Sequence, residues 1–229
     1  MLISNEFMEV KRKRKLAPSL LEADYRFLDD QLKKMEQAGA DSIHIDVMDG
    51  SFVPNLSFGM KMIKSIRQST EMEFDVHMMV QEPCRFTKRM VDAGADVLTV
   101  HYEACKDVKA TLAFIRKAGI KAGIALKPQT PITILDNDLL RMVDVVHLMT
   151  VEPGLEGQVF IPESLQRISE VRNKLDVINP DCDIEVDGNI TEENVEKVVE
   201  AGANIIVVGK ALFTGYMPDN IQKMKRLIG

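Results

Sequence analysis

Short apolar runs rich in β-branched residues recur along the chain, and polar stretches with helical spacing separate them. The junctions share a signature. Ala38-Gly39-Ala40-Asp41 precedes Ser42-Ile43-His44-Ile45-Asp46-Val47-Met48, and Ala93-Gly94-Ala95-Asp96 precedes Val97-Leu98-Thr99-Val100-His101. Ala118-Gly119 precedes the run from Ile120 to Leu126, and Ala201-Gly202-Ala203 precedes Asn204-Ile205-Ile206-Val207-Val208. Glycine at a helix C-terminus supplies a left-handed cap, and a near-continuous apolar run after it reads as a buried parallel strand. Completing the pattern predicts eight strands, near residues 16–20, 42–47, 73–79, 97–101, 121–126, 143–149, 183–187 and 204–208. Helical patterns separate them, for example over residues 24–37 and 192–200. Alternating β-α units with no linker, low-complexity segment or break in composition predict an α/β fold. The expected architecture is a single closed (β/α)8 barrel, the TIM barrel, over residues 16–229. A doubly wound open sheet is the alternative and accounts less well for evenly recurring units.

Composition narrows the function. The chain has 229 residues, 45% hydrophobic and 28% charged, and a formal net charge of −6. That balance suits a soluble globular protein and lacks the bulk basic footprint of a nucleic-acid binder, so an anionic ligand needs a local site. Cys84, Cys105 and Cys182 are scattered without metal-type spacing, which fits a reducing compartment. No apolar stretch is long enough for a membrane span, and the N-terminus shows no apolar core of a signal peptide, so a cytoplasmic protein is expected. The run Lys11-Arg12-Lys13-Arg14-Lys15 could be a nucleic-acid or localisation patch. A solvated basic leader, residues 1–15, is the preferred reading because the run is short and abuts an apolar strand.

In such a barrel the chemistry sits at the C-terminal ends of the strands. All four histidines, His44, His77, His101 and His147, fall on predicted strands. A lone strand histidine is usually a core residue, but two of these have company. His44 and Asp46 are two apart and point the same way. His77 follows Asp75-Val76, and Asp187 ends Ile184-Glu185-Val186-Asp187. Two imidazoles and two carboxylates suit one divalent metal ion such as Zn, Fe, Mn or Co. The competing reading makes the carboxylates helix caps in the following loops. Two aspartates beside a metal also suit proton abstraction next to a carbonyl: a base on one face, an acid on the other, and a cation stabilising the enediolate. The turns Asp187-Gly188-Asn189 and Gly209-Lys210-Ala211 follow strands seven and eight, the usual phosphate position of this barrel. The segment Glu152-Pro153-Gly154-Leu155-Glu156-Gly157-Gln158 follows strand six and reads equally as a mobile lid or an ordinary loop.

Taken in order, the motifs resemble the ribulose-phosphate 3-epimerase family, over residues 16–213. They are Ala17-Pro18-Ser19-Leu20, His44-Ile45-Asp46-Val47-Met48-Asp49-Gly50, Phe52-Val53-Pro54-Asn55 and Asp75-Val76-His77-Met78-Met79. Met149-Thr150-Val151, Pro153-Gly154, Gly157-Gln158, Phe160-Ile161-Pro162, Val186-Asp187-Gly188 and Gly209 continue the series. The resemblance implies a barrel of the ribulose-phosphate-binding type. It implies that His44, Asp46, His77 and Asp187 bind the metal and that Asp46 and Asp187 are the acid/base pair. It further implies that Ser19 contacts substrate, that Met48, Met79 and Met149 pack over the reacting carbons, and that Gly154, Gly188 and Gly209 help hold the phosphate. Gly157, Gln158, Asn189 and Lys210 join the substrate-contact set by position. The implied activity is epimerisation at C3 of a phosphorylated ketose, D-ribulose 5-phosphate to D-xylulose 5-phosphate, by a homo-oligomer.

Four positions depart from the family pattern. Asn189 stands where Gly is usual, Lys210 where Ser is usual, and Glu152 where Asn commonly precedes Pro-Gly. Lys127-Pro128-Gln129-Thr130-Pro131 replaces a common Asn-Pro-Gly turn. They bear on the substrate and make D-allulose 6-phosphate, a hexulose phosphate, the alternative. A decarboxylase of the orotidine-phosphate type needs an Asp-x-Lys-x-x-Asp strand, whereas Ile45-Asp46-Val47-Met48-Asp49 has no lysine. A non-catalytic sugar-phosphate binder would have no use for both carboxylates.

Overall fold

A computed structural model describes residues 12–229. Its strands are β1 (Lys15–Pro18), β2 (Ser42–Met48), β3 (Glu73–Met79), β4 (Val97–His101), β5 (Lys121–Leu126), β6 (Val145–Met149), β7 (Asp183–Asp187) and β8 (Ile205–Val208). All pair in parallel in the order β1-β8-β7-β6-β5-β4-β3-β2, and a parallel Ser19–His44 bridge joins the two ends into a barrel. The helices are α1 (Leu28–Ala38), α2 (Met60–Ile66), α3 (Thr87–Ala93), α4 (Val108–Lys117), α5 (Asn137–Leu140), α6 (Ser164–Ile178), α7 (Val195–Glu200), α8 (Lys210–Phe213) and α9 (Met217–Ile228). The helix expected over residues 24–37 starts later, because Asp24 accepts from the Arg26 N–H and caps a 3₁₀ turn ahead of α1.

The recurring Ala-Gly junction has two physical jobs. Gly39, Gly94, Gly119 and Gly202 all have positive φ, 88 to 115°, where L side chains are strained. The residue just before each even-numbered strand then clamps the preceding odd strand. The carboxylates of Asp41, Asp96 and Asp144 accept from the backbone N–H groups of Leu16, Phe74 and Ala122 at 2.9, 2.8 and 2.9 Å. The Asn204 side-chain oxygen does the same for Ile184 at 2.8 Å. Each clamp is reciprocal, since the backbone N–H of the same residue donates to the carbonyl of its partner at 2.8–3.0 Å. The N-terminal ends of the strands are thus satisfied by one device used four times.

Strand alternation sorts the side chains into two compartments. One parity (Ile43, Ile45, Val47, Phe74, Val76, Met78, Leu98, Val100, Ile124, Val146, Ile184, Ile206) packs against the helices in one large apolar cluster. Truncating one of these fully buried side chains, such as Leu98→Ala, costs about 2–5 kcal/mol. The other parity fills the barrel. A small apolar cluster of Ala17, Val97, Val145, Ile205 and Val207 plugs it. At its base Lys15 lies 3.6 Å from both Glu73 and Asp183, and Lys121 lies 2.5 Å from Glu73.

In the basic run, expected as a solvated leader, Lys13 and Arg14 are exposed and Arg12 and Lys15 are half-buried. Lys11 lies outside the described residues, and β1 already begins at Lys15. Arg12 donates to Asp176 at 2.7 Å and to the Pro180 carbonyl, and Arg14 donates to the Ile228 carbonyl at 2.7 Å. Lys13 lies 3.3 Å from Asp41. Arg12 and Arg14 are tied to the barrel wall by a carboxylate and by main-chain carbonyls.

Candidate active site

Strands β2, β3, β6 and β7 each send inward a pair or trio of functional side chains two residues apart: His44, Asp46 and Met48; Asp75, His77 and Met79; His147 and Met149; Glu185 and Asp187. Parallel register then stacks them in layers, with His44 beside Asp75, Asp46 beside His77, and Met149 beside Asp187. The sequence-predicted quartet His44, Asp46, His77 and Asp187 does come together: one ligand atom from each lies within 4.8 Å of all the others. His44 Nε2 is 3.3 Å from Asp46 Oδ1, and His77 Nδ1 is 3.1 Å from the same oxygen and 3.9 Å from Asp187 Oδ2. Ser19 donates to Asp46 Oδ2 at 2.6 Å.

The electrostatics separate the two aspartates. Burial by itself would raise the Asp46 carboxyl, but His44 and His77 outweigh it and hold Asp46 well below the usual range. Asp187 is pushed up, by burial first and then by the charge of Asp46. Burial would also lower His44; Asp46 and Asp75 prevail and keep it well above an ordinary imidazole. His77 is driven down to about 4 by burial and by His147, and His147 down to about 3 by burial and by His44.

These side chains fit a divalent cation. His44 Nδ1 donates to Asp75 Oδ2 at 2.6 Å, which leaves Nε2 buried without a hydrogen-bond partner and turned toward Asp46. An imidazole oriented by a carboxylate behind it is the usual support of a metal ligand. Among the described residues, no Lys or Arg lies within ion-pair distance of Asp46, Asp75, Glu185 or Asp187. Four carboxyl groups around the imidazoles therefore leave a local excess of acid that a cation would offset. The donor set, imidazole and carboxylate, suits Zn, Fe, Mn or Co.

Above the quartet opens a cavity of about 460 Å³. Ser19, Asp46, Met48, Met79, Met149, Gly154, Gly157, Gln158, Asp187, Asn189, Gly209 and Lys210 all line it. His44 and His77 lie fully buried beneath. Gly188 does not line the cavity; it packs under Val151 and Thr150, and its carbonyl accepts from Thr150 Oγ1 at 2.6 Å. All the departures from the family pattern but Lys210 find physical reasons. Asn189 sits at φ 50°, the left-handed conformation that glycine would take and that Asn tolerates best among side-chain-bearing residues. Lys127 Nζ lies 3.3 Å from Glu152 Oε1 and 4.4 Å from the Phe52 ring centroid, so two departures are each other's partner. The Gln158 amide donates to the carbonyls of Glu152 and Leu155 and accepts from the Glu152 N–H, closing the loop on itself. Nothing in the structure explains Lys210 beyond its place on the cavity wall at the start of α8.

Sequence reasoning left aside Asp75, His101, Glu103, His147 and Glu185. His147 and Glu185 are fully buried, 3.0 Å apart, and His101 Nε2 lies 2.9 Å from His77 Nε2. The signal was present: Asp75, His147 and Glu185 each precede an inward site residue by two positions on the same strand face.

Fold and site together define a (β/α)8-barrel enzyme. Residues 15–213 match the family model described as "Ribulose-phosphate 3 epimerase family". The chain is 44% identical over 200 residues to a ribulose-phosphate 3-epimerase of Bacillus subtilis (strain 168), covering 87% of this chain and 92% of that protein. It is 37% identical over 233 residues to a protein of the same name from Eremothecium gossypii, covering 93% and 95%. The chain belongs to the ribulose-phosphate 3-epimerase family, epimerases of the isomerase class. A solved structure of 3-keto-L-gulonate-6-phosphate decarboxylase from Vibrio cholerae O1 biovar El Tor superposes with a TM-score of 0.69 at 16% identity, covering 95% of this chain and 98% of that one. That likeness concerns the fold alone.

Proposed function

We propose that this chain interconverts D-ribulose 5-phosphate and D-xylulose 5-phosphate by epimerisation at C3. The observation that carries the reading is the pair Asp46 and Asp187: they converge under one cavity from different strands, with their proton affinities driven apart. A carboxylate poised as base and a carboxylic acid poised as donor are what inversion at a carbon next to a carbonyl requires. Asp46, held ionised and fixed by the Ser19 hydroxyl, takes the C3 proton in one direction. Asp187, whose proton affinity burial and the charge of Asp46 raise, returns one from its own side, and the roles exchange in reverse. His44, Asp46, His77 and Asp187 would hold a divalent cation, which supplies electrostatic stabilisation of the negative charge that develops on the substrate.

Met48, Met79 and Met149 give the reacting carbons an apolar, water-poor wall. Gly209, Asn189 and Lys210, with Gly154 of the covering loop, form the polar end suited to the phosphate; Gly188 shapes the turn that carries Asn189. A cytoplasmic homo-oligomer is part of the same proposal. Because Glu152, Asn189 and Lys210 alter the cavity wall, D-allulose 6-phosphate is the second substrate to try. Proton NMR in D2O with metal-replete enzyme, each sugar in its own tube, tests the proposal. The C3 proton signal should vanish and the epimer appear, faster with ribulose 5-phosphate. Faster turnover of the hexulose phosphate would reassign the substrate, and exchange of neither would sink the proposal.

A further inference from the structure

We propose that Glu103 is a positioning residue for His77: acting through His101, it holds the His77 ring in the tautomer whose bare Nδ1 faces Asp46 and Asp187. The inference rests on the reading of His77 as a metal ligand. His77 and His101 are fully buried, and their Nε2 atoms lie 2.9 Å apart. A hydrogen bond between two ring nitrogens holds one proton, so there are two arrangements. If His77 donates, its Nδ1 is bare and able to ligate. If His101 donates, the neutral His77 carries its proton on Nδ1 and is closed to a cation.

The near neighbour favours the wrong arrangement. Asp46 Oδ1, 3.1 Å from His77 Nδ1, draws a proton to that nitrogen. Glu103 supplies the opposing pull. Its Oε2 lies 3.2 Å from His101 Nδ1, so a proton on that nitrogen is stabilised, and a bare Nδ1 would set a lone pair against a carboxylate. With Nδ1 protonated, His101 Nε2 accepts, and His77 must donate.

Glu103 has little freedom to turn away. Its other oxygen, Oε1, accepts from the Lys127 N–H at 2.9 Å and from the Thr130 hydroxyl. Arg167 holds that turn by donating to the carbonyls of Lys127, Pro128 and Thr130. Phe52 packs on His101 with ring centroids 4.9 Å apart. The arm therefore runs from a surface turn, where this sequence departs from its family, to a buried ligand.

Glu103→Gln tests this because an amide has one donor end. If its NH2 faces His101, the proton order reverses; if its oxygen does, the Lys127 N–H loses its acceptor. Ring-nitrogen NMR on the wild-type protein, metal-free and zinc-loaded, should show His101 protonated on Nδ1 and bare on Nε2 in both states. Protonation of His101 on Nε2 in either state would overturn the proposal, and this readout needs no variant. Zinc titration of Glu103→Gln should show affinity weakened roughly 10–100-fold. His101→Phe, which keeps a ring but offers no acceptor, should weaken it similarly. Zinc affinity within twofold of wild type for folded His101→Phe, or for a Glu103→Gln protein whose His101 is shown by the same NMR to carry its proton on Nε2, would also overturn it. Wild-type protein that binds no zinc while His101 keeps the expected tautomer would sink the metal reading and leave the proton order intact.

Discussion

The two ends of the barrel are both charged, but they are built differently. At the base, one device recurs: Asp41, Asp96, Asp144 and Asn204 each clamp the start of the preceding strand, and Lys15 and Lys121 sit against Glu73 and Asp183. Every acid there has a donor or cation beside it. At the mouth nothing repeats. Asp46 and Asp187 stand with imidazoles and, among the described residues, no Lys or Arg within ion-pair distance, and their proton affinities diverge. Repetition at the base satisfies backbone groups, a problem common to all strands. The mouth leaves acid in excess, which costs stability and is tolerated where chemistry needs it.

Substitutions at the two ends should therefore fail in different ways. The largest effect belongs at the mouth. Asp46→Asn or Asp187→Asn should lower kcat by about 10³-fold or more while leaving the circular dichroism melt near that of wild type. Activity within tenfold of wild type for either would remove the two-aspartate mechanism. At the base, Asp144→Ala strands the Ala122 N–H and should cost about 1–3 kcal/mol, read by denaturant unfolding. Its kcat/KM at 25 °C should match wild type; a specific activity loss would erase the division between the ends. The smallest effect belongs at the rim. Glu152→Ala removes the partner of Lys127 and should raise KM for ribulose 5-phosphate roughly two- to fivefold with kcat unchanged, as suits so exposed an ion pair.

Much of this was legible in the chain. The Ala-Gly junctions predicted helix ends that do carry left-handed glycines, and the predicted strand spans agree with the observed ones to within a few residues. Spacing of two on β2 put His44 and Asp46 on one face, and ordered motifs marked His77 and Asp187 as their companions. The period-two rule that found these would also have found Asp75, His147 and Glu185, had it been applied to every polar residue within an apolar strand.

Local periodicity determines which residues share a strand face, where helices end, and which side chains have the chemistry to bind or transfer protons. All of these depend on spacing within one element. What only the tertiary structure decided is which elements meet. Lys127 and Glu152 are both visible as departures, but their pairing needs β5 and β6 side by side. The fixing of Arg12 to Asp176 of α6 and of Arg14 to Ile228 of α9 joins the segment just ahead of β1 to helices 164 and 214 residues further on. The proton order from Glu103 through His101 to His77 exists only because β3 and β4 set two ring nitrogens 2.9 Å apart in a space closed to water.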